Sequence, residues 1–116
     1  MENNNYLLTE IWKPRASWLS LGEDERQNYL SEKMGPLLMQ MMNKGAELLG
    51  AAINENATAE KIDYVYKAVW KLPSKEISEE LEKGAKEVGF YEYFEQVNFS
   101  GKPIGPEELI GHMIKF

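Results

Sequence analysis

The sequence predicts an α+β domain. It should hold a four-stranded antiparallel sheet built in the order strand, helix, strand, strand, helix, strand, with a short helix at the C-terminus. Two segments carry most of this prediction because they end alike. Glu10-Ile11-Trp12-Lys13-Pro14 and Ala68-Val69-Trp70-Lys71-Leu72-Pro73 each close an aromatic, β-branched stretch, and each precedes a run with helical spacing. The 116 residues also contain no low-complexity stretch and no linker rich in Gly, Ser or Pro, so a single domain over 1–116 accounts for the chain.

The elements follow in order. Tyr6 to Lys13 favours a pleated sheet, and Pro14 stops it by removing an amide donor. Arg15 to Leu21 is a connection. Ser20 stands three residues before Glu23, a capping-box spacing, and Glu23, Asp24 and Glu25 suit the positive end of a helix. Leu30, Met34, Leu37, Leu38, Met41 and Met42 continue that helix to a stop at Asn43-Lys44-Gly45, and Gly35-Pro36 should bend it. Leu48 to Asn54 reads as the second strand, Glu55 to Ile62 as a polar loop, and Asp63 to Leu72 as the third strand. Ser74 caps a second helix whose Ile77, Leu81, Ala85 and Val88 share one face, and Gly89 closes it. Phe90 to Phe94 is an aromatic turn and Gln96 to Ser100 the fourth strand. Pro106 opens a last helix through Met113.

Composition narrows the function. Nineteen acidic against thirteen basic residues give a net charge of −6, which argues against a phosphate-binding surface and hence against nucleic acid. No apolar run approaches the ~20 residues that span a bilayer, so no membrane partner is expected. The start Met1-Glu2-Asn3-Asn4-Asn5 lacks the regions of a signal peptide, and the expected location is cytoplasmic. With no cysteine, the chain has no disulfide, thiolate nucleophile or thiolate metal site. One histidine is too few for a usual imidazole metal site, and no glycine-rich phosphate loop is present; no metal and no cofactor are expected.

Two βαβ halves with matching Trp-Lys strand ends suggest the ferredoxin-like architecture. Split βαβ units then give an antiparallel sheet in which the first and third strands lie centrally and parallel to each other. Two helices cover one sheet face only. By alternation, Tyr6, Leu8, Glu10 and Trp12 share a side, as do Tyr64, Tyr66, Ala68 and Trp70. Matching Trp12 to Trp70 brings these sets together. The opposite side, with Leu7, Thr9, Ile11, Val65, Lys67 and Val69, is also substantially apolar. A sheet apolar on both sides points to an isologous homodimer, sheet against sheet; the alternative is a monomer whose C-terminal helix folds over the open face.

In element order nearly the whole chain resembles the dimeric α+β barrel superfamily of ferredoxin-like proteins. The similarity is carried by the strands Leu7 to Pro14 and Tyr64 to Pro73 and by Gly89-Phe90-Tyr91-Glu92-Tyr93-Phe94-Glu95-Gln96-Val97. Within that group it is most similar to small uncharacterised bacterial families. The resemblance implies a homodimer and a pocket between sheet and helices, but no particular reaction, since the group includes cofactor-free monooxygenases, haem-degrading enzymes and chlorite dismutases. Haem-degrading members place a histidine shortly after the third-strand tryptophan. Here that stretch reads Ser74-Lys75-Glu76-Ile77-Ser78-Glu79-Glu80 and has none.

Several residues are candidates for chemistry. Glu10 lies mid-strand on the aromatic side, where desolvation should raise its pKa and make it a general base; the alternative is that it pairs with a lysine or reaches the rim. Trp12, Tyr64, Tyr66 and Trp70 would line a pocket for a flat aromatic or carbonyl compound, or else fill the core or dimer interface. Asn98 is a hydrogen-bond donor to the pocket, because the fourth strand should flank the first. His112 is a base, a haem ligand or a surface residue of the last helix. Two functions follow. One is a small-molecule-binding protein, acting as a cofactor-independent monooxygenase or isomerase through Glu10. The other is a non-catalytic interaction protein whose aromatic sheet face serves only as a dimer interface.

Overall fold

A computed structural model describes residues 5–55 and 62–116. The expected loop from Glu55 to Ile62 therefore lies largely outside the described residues. Four strands, β1 (Tyr6–Pro14), β2 (Glu47–Ile53), β3 (Tyr66–Leu72) and β4 (Phe94–Gly101), form one sheet in the order β2-β3-β1-β4. β1 and β3 are central, as expected, but they run antiparallel, not parallel. The reason is topological. The crossover after β1 returns β2 parallel to it, and β3, paired antiparallel to β2, inserts between them and must oppose both. Trp12 consequently faces Tyr66, and Trp70 faces Leu8. Cross-strand partners point to the same side, so Tyr6, Leu8, Glu10 and Trp12 still share a face with Tyr66, Ala68, Trp70 and Leu72. β3 begins at Tyr66, so Tyr64 and Val65 precede the strand.

The helices cover that aromatic face. The expected connection after β1 holds a single helical turn, α1 (Ala16–Leu19), whose Trp18 is buried. α2 (Glu23–Tyr29) is capped two residues later than the Ser20 spacing suggests: the Gly22 N–H donates to Glu25 Oε1 at 3.1 Å, while the Ser20 hydroxyl turns back to the Ser17 carbonyl. The bend expected at Gly35-Pro36 appears as a π-helical turn, Leu30–Met34, leading into α3 (Gly35–Asn43). Pro36 has no N–H to give, and the Gly35 N–H reaches the Leu30 carbonyl five residues back. Gly45 ends this segment with φ 103°.

α4 (Lys75–Glu87) starts on Ser74, whose hydroxyl accepts from the Ile77 N–H at 3.3 Å, and it buries Ser78, Leu81 and Ala85 against the sheet. The aromatic turn is a helical turn, α5 (Phe90–Tyr93). The main core joins Leu8, Met41, Trp70, Leu72 and Leu81 between the two layers. Each such side chain contributes roughly 1.5–3 kcal/mol when fully buried. A second cluster packs Trp18, Ala85, Phe90 and Phe94 at one end, with Phe90 and Phe94 stacked at 4.6 Å between ring centroids.

The opposite sheet face is open. Val97 and Phe99 on β4 point there and are 49% and 78% exposed, and Leu7, Ile11 and Val69 beside them are half-buried. The C-terminal helix, α6 (Pro106–Lys115), does not close it: every residue of α6 except Gly111 is exposed. Among the described residues, no helix is long and apolar enough to cross a membrane.

Candidate functional site: an apolar cavity around Glu10

Between the sheet and the helices lies a cavity of about 450 Å³. Its floor is the aromatic sheet face, with Glu10, Trp12, Tyr66, Ala68 and Trp70. The turn and helices after β1 supply Trp18, Leu30, Met34 and Leu38, and α4 supplies Leu81 and Ala85. Phe90, Phe94 and Gln96 complete the wall. The lining is apolar apart from Glu10 and Gln96, which sets what can happen at the carboxyl.

Glu10 is held by two neutral donors. The Trp70 indole N–H donates to Oε1 at 2.9 Å, and the Gln96 amide donates to Oε2 at 3.0 Å. The same Gln96 amide donates to Asn98 Oδ1 at 2.7 Å, and Asn98 donates to Glu82 Oε1 on α4 at 3.0 Å. The chain of bonds thus runs from a cavity carboxyl to a second carboxylate at the helix layer. Glu10 has no cationic partner among the described residues, so the lysine pairing weighed from the sequence is not what is found. Burial raises its pKa above the ordinary carboxylate value. The bonds from Trp70 and Gln96 oppose the rise, and the negative charge of Glu82 adds to it. Tyr91, which hydrogen-bonds Asn98, is also pushed up, by burial first and then by the charges of Glu10 and Glu82. Trp70 and Gln96 each occupy one lone pair of the carboxyl. A proton on Glu10 therefore takes one of the remaining lone pairs, leaving both of these bonds in place.

The structure brings together Glu10, Trp12, Tyr66 and Trp70 of the residues singled out from the sequence. Asn98 pairs with Glu10 across the strands but acts one step back, through Gln96. Tyr64 is not in the cavity. Its hydroxyl donates to Glu95 at 2.8 Å, and its ring lies 5.0 Å beneath the Lys13 ammonium, beside a separate shallow hollow with Ile11 and Val65. His112 is exposed on α6 among Glu108, Lys115 and Phe116. The cavity lining contains no histidine and so does not fit a haem held through imidazole. Sequence reasoning passed over Gln96 and Glu82. Gln96 was legible as the residue two before Asn98 on the same strand face, and Glu82 as the acid four residues after Ser78, on the inward side of α4.

A four-stranded antiparallel sheet with helices on one face and a buried carboxyl in an apolar cavity defines a ferredoxin-like α+β fold with a pocket of small-molecule size. The chain belongs to the DUF6616 family, a family of unknown function, whose model matches residues 5–116. Two variants of chlorite dismutase from Candidatus Nitrospira defluvii superpose with TM-scores of 0.70 and 0.71 at 12% identity. The match covers 96% of this chain and 45% and 44% of theirs. The imidazole complex of the same enzyme gives 0.68 at 12% identity, over 98% of this chain and 49% of that one. This chain spans about half the length of those structures, and the likeness is one of fold. No curated protein matches.

Proposed function

We propose that the chain binds a small, largely apolar aromatic or carbonyl compound in the Glu10 cavity, and that Glu10 moves a proton on it. The observation carrying this reading is a single carboxyl, its pKa raised by burial, in a space of about 450 Å³ that is apolar but for it and Gln96, with no cation among the described residues to fix its charge. Trp12, Tyr66 and Trp70 supply flat surfaces for a ring. Two reaction classes share the same first step, transfer of a substrate proton to Glu10. An isomerase returns that proton to a different atom, and a cofactor-independent monooxygenase passes the resulting carbanion to dioxygen. The reading in which the aromatic face is only a dimer interface is disfavoured, because that face lies under the helices.

The reading extends to a homodimer that pairs the open sheet faces and places two chains where each chlorite dismutase neighbour has one chain of twice the length. The acidic, cysteine-free composition suits the cytoplasm.

The test is a thermal-shift screen against small aromatic and carbonyl compounds. A compound at a hundred times its Kd should stabilise the fold by about 2.7 kcal/mol, on the order of 10 °C in Tm. Turnover of a hit should vanish in Glu10→Gln while binding remains. A complete absence of shifts, or full activity in Glu10→Gln, overturns the proposal.

A further inference from the structure

The polar chain beside the cavity has a direction. A carboxylate only accepts hydrogen bonds, whereas an amide side chain accepts at one end and donates at the other. Glu82 on α4 takes a bond from Asn98 Nδ2 at 3.0 Å, so the Asn98 oxygen turns away from it. That oxygen takes a bond from Gln96 Nε2 at 2.7 Å, and the same nitrogen donates to Glu10 Oε2 at 3.0 Å. Tyr91, hydrogen-bonded to the Asn98 amide, can give or accept and imposes no direction. Register holds these groups in line. Glu10 is paired with Asn98 across β1 and β4, Gln96 stands two residues earlier on the same face, and Gln96, Asn98 and Glu82 are all half-buried.

While Glu10 is ionised it fixes Gln96 by itself, because it too only accepts. Once it is protonated that hold is gone. The neutral carboxyl has an O–H, and an unconstrained Gln96 could turn over and accept from it with its carbonyl oxygen. The proton would then be tied to the protein. Asn98 would have to follow, giving its N–H₂ to Gln96 and setting its own oxygen against Glu82, acceptor against acceptor. Glu82 therefore penalises the turned arrangement whatever the state of Glu10. Among the described residues the other titratable groups facing Glu10 are Tyr66 from β3 and Tyr91 from α5, and no lysine or arginine lines the cavity.

We infer that Glu82 is a positioning residue: through Asn98 it keeps the Gln96 N–H₂ on Glu10 in both protonation states, so that a proton taken up by Glu10 stays directed at the ligand and can be handed back. This rests on the proton transfer proposed above and adds the group that keeps the acid deliverable. In that transfer the ligand keeps the electron pair of the broken bond and a Glu10 oxygen gains the proton; the return reverses both.

Glu82→Gln keeps the shape and lifts only the constraint, since the new amide can give to Asn98 as well as accept from it. The reporter is hydrogen exchange of the Gln96 side-chain amide in isotope-labelled, ligand-free protein, followed by NMR between pH 4.5 and 8 alongside the Glu10 carboxyl carbon. In wild type the amide should exchange roughly tenfold or more slower than a free glutamine amide on both sides of the Glu10 midpoint, because two hydrogen bonds hold it. In Glu82→Gln that protection should survive on the alkaline side and fall to within about threefold of the free amide on the acid side, where the turned arrangement satisfies every group. Protection lost at every pH would mean that Glu82 merely braces the fold. Protection kept at every pH would mean that Asn98 and Glu10 orient Gln96 unaided. Either result refutes the inference, as does an unprotected amide in wild type. A thermal-shift screen without hits removes the function proposed above but not this orientation, and unchanged exchange in Glu82→Gln removes the orientation but not the function.

Discussion

Replacing Glu10 by Gln tests the electrostatics of the cavity without changing its volume. In the wild type the folded-state pKa lies above the ordinary value of 4.5, chiefly through burial. Between the unfolded and folded pKa values the native protein holds a proton that the unfolded chain has released. Stability therefore falls as pH rises through that window, by up to about 1.4 kcal/mol per pH unit, and is constant above it. The amide variant has no such proton. It keeps one acceptor for the Trp70 or Gln96 donor and sets an N–H₂ against the other, a loss of about 1–3 kcal/mol at pH values where the wild type is protonated. The difference in unfolding free energy between the two proteins, from urea titrations between pH 4 and 8, should thus favour the wild type at low pH and narrow or reverse as pH rises. Titrating groups remote from Glu10 contribute equally to both curves and cancel. Parallel curves across the range would mean that Glu10 ionises like a surface carboxylate, and the reasoning about the cavity would be wrong.

Other expectations concern the supports of the site and fold. Trp70→Phe keeps one aromatic ring but removes the five-membered ring and its donor; it should cost at least about 1.5–3 kcal/mol and raise the Glu10 pKa further, read from the same pH series. Tyr29→Phe should lose about 1 kcal/mol by deleting the 2.8 Å bond from the hydroxyl to the Val88 carbonyl. The Tyr29 pKa is pushed up to about 12, mainly by burial, so wild-type stability should fall from pH 10 towards 12, and this variant should show less of that alkaline loss. Gly45→Ala should destabilise by roughly 1–3 kcal/mol in urea unfolding, because φ is 103° and the new Cβ would meet Pro73 Cγ at 2.8 Å; an unchanged midpoint would mean that the turn relaxes freely.

The sheet was legible in sequence because Tyr6, Leu8, Trp12, Tyr66 and Trp70 alternate cleanly and because Pro14 and Pro73 mark the ends. Its direction was obscured by the same feature. The matched Trp-Lys ends of β1 and β3 suggest parallel strands, yet the hairpin to β2 forces them to oppose, and Trp12 meets Tyr66. Tyr64 and Val65 have strong sheet propensity but precede the residues paired with β1, so propensity alone overextended β3. The Ser20 spacing looked like a cap because the motif records side-chain type and not which N–H is free; Gly22 took the role. At the site, Glu10 and its aromatic neighbours follow from strand parity. The reach of Gln96 and the link through Asn98 to Glu82 depend on rotamers and on how α4 packs across β4, which periodicity does not encode.

The central claim is that the space beside Glu10 is a binding site, and the Trp70 indole N–H reports on it directly. Titrating small aromatic carbonyl compounds into isotope-labelled protein should shift that resonance saturably, and Ala85→Trp, which fills the cavity, should abolish the response. A Trp70 signal that stays fixed across the panel, or that moves equally in wild type and Ala85→Trp, would contradict it.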